Sequence, residues 1–316
     1  MNRDVRSSLR TLAAVVLVAV TPASAQAPAP RPSPRTPVFG TEIEVINLNV
    51  SVTDATNRYV TDLTAAEFAV FEDGIRQELS IFNHDDLPIS LAVLIDASAS
   101  MDEKIEMARQ AATRFIQTLR PEDMASVAQF NDRATTLQDF TNDQKELSAA
   151  IARIEPSGPT ALHNAMYVAL KELDKQKRGE LRRRAVVLLS DGEDTASLVS
   201  DEQLMALARK TEINIYAISL RGKRTSDRQK FSQATHLLTT ITQDTGGQVH
   251  FPNSLSELDS VYARIAEELR TQYSIGYVSG NRRTDGKWRR IVVRVPTRTD
   301  LHIRHKLGYY ADRTKP

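Results

Sequence analysis

The chain has 316 residues, of which 41% are hydrophobic and 26% charged, and a formal net charge of +1. Such a composition is globular, long enough for a full α/β domain plus a smaller one, and gives no global argument for nucleic acid or an anionic membrane. There is no cysteine, which excludes disulfides, thiol catalysis, zinc–thiolate sites, Fe–S clusters and lipid attachment to an N-terminal cysteine.

The first 25 residues read as a secretory signal peptide. Arg3, Arg6 and Arg10 make a basic start, residues 11–20 are apolar but too short to span a bilayer, and Ala23, Ser24 and Ala25 form a small-x-small cleavage site. Cleavage after Ala25 leaves 38 basic and 39 acidic residues and implies a periplasmic or extracellular location, with no transmembrane segment in the mature chain. Residues 26–38 form a linker in which Pro28, Pro30, Pro32, Pro34 and Pro37 favour extended polyproline structure.

Residues 39–88 read as strands. Ile46, Leu48, Val50 and Val52 alternate with polar residues, Glu72, Asp73 and Gly74 signal a turn, and Ile75, Gln77, Leu79 and Ile81 alternate again. From Ser90 the texture changes to alternating strands and helices. Residues 91–95 are an apolar run suited to a strand buried on both faces. A helix is predicted over 102–119 with Ile105, Ala108, Ala112, Phe115, Ile116 and Leu119 inside, Ser100 and Glu103 having the spacing of a capping box. Strands follow at 124–130 and 135–140, helices at 144–154 and 161–175, a buried strand at 185–189, a helix at 201–211, a strand at 213–220, a helix at 231–244 ended by Gly246 and Gly247, a short strand at 248–251 and a long helix at 255–272. This alternation predicts a doubly wound, mainly parallel sheet flanked by helices over residues 89–272.

The tail from Tyr273 reverts to β, with strands at 273–277, 288–295 and 301–310 and a hairpin turn at Asp285 and Gly286. These strands are expected to pair with residues 39–88, so that the α/β domain is inserted between two halves of a small β domain. Trp288 should pack in that β unit, Tyr309 and Tyr310 should point one in and one out, and His302 and His305 should face opposite ways. His163 lies on a helix near Thr160, where it could back the oxygen donors, but reads more simply as a surface residue, and the basic runs at 182–184, 221–228 and 282–290 read as solvated strand ends and loops.

The oxygen donors carry the functional signal. In open α/β sheets ligands sit at the carboxyl ends of the strands. Asp96, Ser98 and Ser100 follow the first buried strand, Thr160 lies in a Gly/Pro loop just before a helix, and Asp191 ends the strand at 185–189. Together they bring five oxygen donors from three loops to one sheet edge. The pattern Asp96-x-Ser98-x-Ser100, with a distant Thr160 and Asp191-Gly192, resembles a von Willebrand factor type A domain bearing a metal-ion-dependent adhesion site. A longer resemblance, through Phe71-Glu72-Asp73-Gly74 and Gly308-Tyr309-Tyr310, is to a bacterial group of secreted type-A-related proteins. Pro159 stands where Gly is common in that family and should stiffen the loop.

The resemblance implies Mg²⁺, or Mn²⁺ or Ca²⁺, held by Ser98, Ser100 and Thr160, with Asp96 and Asp191 acting often through water. Mg²⁺ keeps several waters rather than taking an all-protein cage. A metal left undercharged in this way can accept an Asp or Glu carboxylate from a partner protein. The expected function is an exported, divalent-metal-dependent protein-binding or adhesion module, and not an enzyme. The alternatives are a metal used only structurally in an envelope scaffold and a metal-dependent phosphoester hydrolase. No P-loop, Gly-x-Ser-x-Gly elbow or His-Glu-x-x-His occurs, and export argues against nucleic acid.

Overall fold

A computed structural model describes residues 45–176, 182–190, 194–220 and 228–311. The signal-peptide and linker segments, Asp191 with Gly192, and most of the 221–228 basic run lie outside these residues. The described residues all fall in one compact unit.

The elements in chain order are β1 (Val45–Thr53), β2 (Ala69–Glu72), β3 (Ile75–Gln77), β4 (Leu79–Asn83), β5 (Ile89–Asp96), α1 (Ile105–Gln117), β6 (Met124–Phe130), β7 (Ala134–Thr141), α2 (Gln144–Ala152), α3 (Leu162–Lys175), β8 (Arg183–Ser190), α4 (Asp201–Lys210), β9 (Asn214–Ser219), α5 (Arg228–Thr245), β10 (Val249–His250), α6 (Leu255–Thr271), β11 (Tyr273–Val278), β12 (Trp288–Arg294), β13 (His302–Arg304) and β14 (Gly308–Tyr310). Six strands form the central sheet in the order β10-β9-β8-β5-β6-β7. It is parallel except for β7, which runs antiparallel to β6 at the edge.

Burial on both faces explains the apolar runs. Leu91, Val93 and Ile95 of β5 join a core with α1, α2 and α6, while Ala92 and Leu94 join a second core with α3, α4 and α5. All eight residues of β5 and of β8 are buried, as a parallel sheet covered by helices requires. All six residues expected on the inner face of the helix at 102–119 are buried. The helix itself starts later, at Ile105, after a short 3₁₀ turn at Ala99–Met101, and its N-cap residue is Lys104. The Ser100–Glu103 capping box therefore does not form. At the end of α5, Gly246 takes φ +84°, and a Cβ on Gly247 would stand 1.9 Å from the Ile215 carbonyl oxygen. One glycine turns the chain and the other lets it approach β9.

The remaining strands form two four-stranded sheets, β13-β1-β11-β4 and β14-β12-β2-β3. Strand β11 pairs with β1 and β4, and β12 pairs with β2. Leu48, Val50 and Val52 from β1, Val70 from β2, Tyr273 and Ile275 from β11 and Val293 from β12 share one core. The Phe71-Glu72-Asp73-Gly74 and Gly308-Tyr309-Tyr310 segments meet here. Buried Glu72 accepts hydrogen bonds from the hydroxyls of Tyr309 (3.0 Å), Tyr277 (2.9 Å) and Ser279 (2.7 Å). Asp73 and Gly74 turn β2 into β3 with φ +48° and +84°, the positive pair that a tight two-residue hairpin needs.

Three strand expectations need correction. The alternation from Ile75 to Ile81 is broken at Glu78, and β3 and β4 belong to different sheets. The stretch 301–310 divides likewise into β13 and β14, one in each sheet. Asp285 and Gly286 do not make a hairpin, because β11 and β12 lie in different sheets. A chain crossing between two layers keeps the same period on both sides of the crossing, so periodicity does not reveal it. Tyr309 is partly buried against the core, Tyr310 is exposed, and Trp288 packs edge-on against Tyr310.

The basic run at 182–184 is also corrected. Arg183 and Arg184 are both buried. The Arg183 guanidinium donates to the carbonyls of Leu269 and Arg270 (both 3.0 Å), Asp85 (3.2 Å) and Gln272. Three of these carbonyls belong to the end of α6, whose last C=O groups have no partner within the helix. Burial lowers the Arg183 pKa to about 10, which leaves it charged at neutral pH.

Candidate functional site

Strands β6 and β8 lie on either side of β5, so the chain order reverses beside β5 and opens a crevice at the carboxyl ends. Asp96 is the last residue of β5 and Ser190 the last of β8. Both are buried, and the Ser190 hydroxyl donates to Asp96 Oδ2 at 2.6 Å. Asp96 Oδ1 accepts the Ser98 backbone N–H at 2.9 Å. The carboxylate thus closes the turn that carries the serines.

Ser98 is buried and Ser100 exposed, and their hydroxyl oxygens stand 3.0 Å apart. The 3₁₀ turn between β5 and α1 brings them together. In a continuous helix residues two apart do not face each other.

Backbone hydrogen bonds tie the neighbouring loops to this turn. Ala97 N–H donates to Phe130 O (2.8 Å), Ser157 N–H to Ala97 O (2.7 Å) and Ala99 N–H to Gly158 O (2.9 Å). Gly158 has φ +70°, which lets the loop turn toward Thr160. Thr160 is buried, with its N–H donating to Thr195 Oγ1 (3.0 Å) and its carbonyl accepting the N–H groups of Thr195 (2.8 Å) and Ala196 (3.0 Å). Asp96, Ser98, Ser100 and Thr160 therefore lie on loops cross-tied at one sheet edge. Asp191, the fifth residue of the pattern, lies outside the described residues.

A second layer of the edge was legible in the sequence only through His163, near Thr160. His163, expected at the surface, is buried. Its Nδ1 lies 3.2 Å from Val199 O and 3.6 Å from Asp194 Oδ2. Asp194 Oδ1 accepts the Ser197 hydroxyl (2.6 Å) and the His163 N–H (3.3 Å). Asn164 Oδ1 accepts both Leu198 N–H and Val199 N–H at 3.1 Å. These contacts fasten the loop 194–200 onto the first turn of α3. Ser190 had one signal, its place beside Asp191 at a strand end. Asp194 had only its place in the polar run after β8, and Asn164 had none, since it acts on a loop distant in sequence. Of the other histidines, buried His305 accepts the Val293 N–H at Nε2 (3.1 Å).

The donor set is hydroxyls backed by a buried carboxylate, the chemistry of a hard cation rather than a soft one. Among the described residues no group of three or more His, Cys, Asp or Glu has metal-binding geometry, and none of their helices is long and apolar enough to cross a membrane.

The comparisons with known proteins agree with this architecture. Residues 91–193 match the family model of the von Willebrand factor type A domain. The chain is 24% identical over 207 residues to inter-alpha-trypsin inhibitor heavy chain H4 of Bos taurus, which covers 61% of this chain and 22% of the relative, so the match spans about a fifth of that protein's length. It is also 24% identical over 220 residues to a UPF0353 protein of Nocardia farcinica, covering 60% of this chain and 66% of the relative. Among solved structures it is similar to a von Willebrand factor type A protein from Catenulispora acidiphila, with a TM-score of 0.51 at 14% identity, over 87% of this chain and 65% of that one. The α/β part of this chain has the von Willebrand factor type A fold.

Proposed function

We propose that the chain is an exported protein-binding module that uses a divalent cation, Mg²⁺ in the first place and Mn²⁺ or Ca²⁺ as alternatives, to capture an Asp or Glu carboxylate of a partner protein. Ser98, Ser100 and Thr160 supply hydroxyl ligands. Asp96 and Asp191 supply charge, Asp96 through water. The observation that carries this reading is the 3.0 Å separation of the Ser98 and Ser100 oxygens. The two hydroxyls are hydrogen-bonded to each other at that distance, which is also about the spacing of neighbouring ligands on an octahedral Mg²⁺ with bonds of about 2.1 Å. Both Asp96 oxygens already accept a donor, which suits a carboxylate acting through water.

The same engagement argues against buried Asp96 as a nucleophile of its own. The loops are already joined by backbone hydrogen bonds, so a metal is not needed merely to staple them. We further propose that residues 1–25 are a signal peptide and 26–38 a linker, and that an α/β domain at 89–272 is inserted between β segments at 39–88 and 273–316. The pairing of β11 with β1 and β4, and of β12 with β2, supports this division. The two motifs that meet at Glu72 support membership of the secreted bacterial group.

Calorimetric titration of the full chain with Mg²⁺ and Mn²⁺ tests the reading. Wild type should bind one cation, and Ser100→Ala and Thr160→Ala should weaken it at least tenfold. Ser100 is exposed, so its variant should leave the metal-free melting temperature nearly unchanged. Absence of uptake by wild type would end the metal-bridged reading.

A further inference from the structure

We infer that Leu198, with Val168 one turn of α3 beyond its tie to Asn164, is an apolar anchor for the same partner, next to the position where its carboxylate is captured. The inference rests on the metal-bridged reading above. Leu198 is 93% exposed. A single exposed Leu is ordinary on a protein surface. Here, however, the backbone beneath it is held fast. Asn164 Oδ1 takes the N–H groups of Leu198 and Val199, Ser197 Oγ accepts the Asn164 N–H at 3.1 Å while donating to Asp194, and Thr160 O takes the N–H groups of Thr195 and Ala196. An apolar side chain on a fixed loop loses little backbone freedom when a partner covers it, which is the condition for an efficient contact.

Val168 extends the patch. It lies four residues after Asn164 on α3, hence on the same helix face, and is 45% exposed. Tyr167 and Lys171 continue that face, with the Lys171 ammonium 5.7 Å from the Tyr167 ring centre. Among the described residues, the other exposed large hydrophobics, Ile75, Ile81, Val278, Leu307 and Tyr310, all belong to the β sheets or the loop before β14.

The geometry fixes the kind of partner. Leu198 is tied to Asn164, four residues beyond Thr160, so the patch begins about one helical turn from the hydroxyl edge. With side-chain reach that is roughly 10 Å, which an extended segment rising about 3.3 Å per residue covers in about three residues. Asp194 opens the loop and Asp201 and Glu202 follow it in the first turn of α4, which disfavours further acids. The occupant is therefore an extended protein segment with one Asp or Glu for the metal, an aliphatic or aromatic residue about two to four positions away, and no second acid between them.

A displayed library of random twelve-residue peptides, selected on the full chain in Mg²⁺ and released with chelator, tests this. Wild type should enrich peptides with that acid–apolar spacing. Leu198→Asp should weaken those peptides at least tenfold, with Mg²⁺ affinity by calorimetry and melting temperature unchanged. Leu198→Met should keep their affinity within about twofold. Enriched peptides without a positioned apolar residue, or equal affinity for Leu198→Asp, would overturn the anchor while leaving the metal reading standing. If wild type binds Mg²⁺ but no chelator-released peptide is enriched, carboxylate capture and the anchor both fall.

Discussion

The two ends of the central sheet use similar residues to opposite ends. At the carboxyl end, Ser98 and Ser100 bring two hydroxyls together beside solvent, over a carboxylate that holds the turn in place. Toward the amino end, between the central sheet and β1, the polar groups are turned on one another. Glu268 of α6 is buried and accepts from Ser51 (2.9 Å), Tyr216 (2.8 Å), Tyr59 (3.1 Å) and Arg304. Gln272 donates to Ser51 and Tyr216, and Asn49 to Asn214. Burial pushes the Tyr216 hydroxyl well above its ordinary pKa, so it stays a donor. A carboxylate with four donors has no capacity left for a ligand and serves to hold the chain together. Saturation, rather than residue type, separates a structural polar cluster from one able to bind.

The contrast can be broken most severely at Glu268. Replacing it with Ala strands a buried Tyr hydroxyl, a Ser and Arg304, and should cost about 3 to 5 kcal/mol, read by urea denaturation, with the central sheet and the β sheets melting together. Arg183→Met should come next, at about 2 to 3 kcal/mol, because the carbonyls closing α6 lose their donor. A loss below about 1 kcal/mol for either variant would mean that the joint is not where the layers are held.

Acidification sharpens the same comparison. Burial lowers the pKa of His250 to about 4 and also lowers that of His305. A histidine whose folded pKa is depressed contributes stability above its unfolded pKa of about 6.5, and that contribution is lost as pH falls. For His250 the loss should run from about pH 6.5 to about 4 and then level off. Denaturation midpoints of wild type against His250→Asn and His305→Asn over that window check this, and an unchanged slope in the variants would contradict it. The smallest effect on stability belongs to the exposed edge, where Ser100→Ala should change it by less than about 0.5 kcal/mol while removing most of the Mg²⁺ affinity.

Much of this molecule was written locally. A strand buried on both faces is apolar through its middle, so β5 and β8 announce themselves as the runs 91–95 and 185–189, and helices between them repeat at a helical period. Because ligands of such sheets gather at strand ends, Asp96, Ser98 and Ser100 could be placed at the sheet edge before any coordinates, and the resemblance joined Thr160 to them. The clamp on the loop 194–200 could not. Asn164, His163 and Asp194 are ordinary polar residues until the fold brings their partners near.

Periodicity states which way each side chain points, and this much the sequence determined. It does not state what lies opposite. Only the tertiary structure decided that Ile75 and Ile81 sit in different sheets, that Arg183 closes a helix rather than meeting water, and that Tyr309 reaches Glu72 across 237 residues of chain. Burial of a charged or polar group depends on a partner supplied from elsewhere, and that partner is set by packing between layers, which no local pattern encodes.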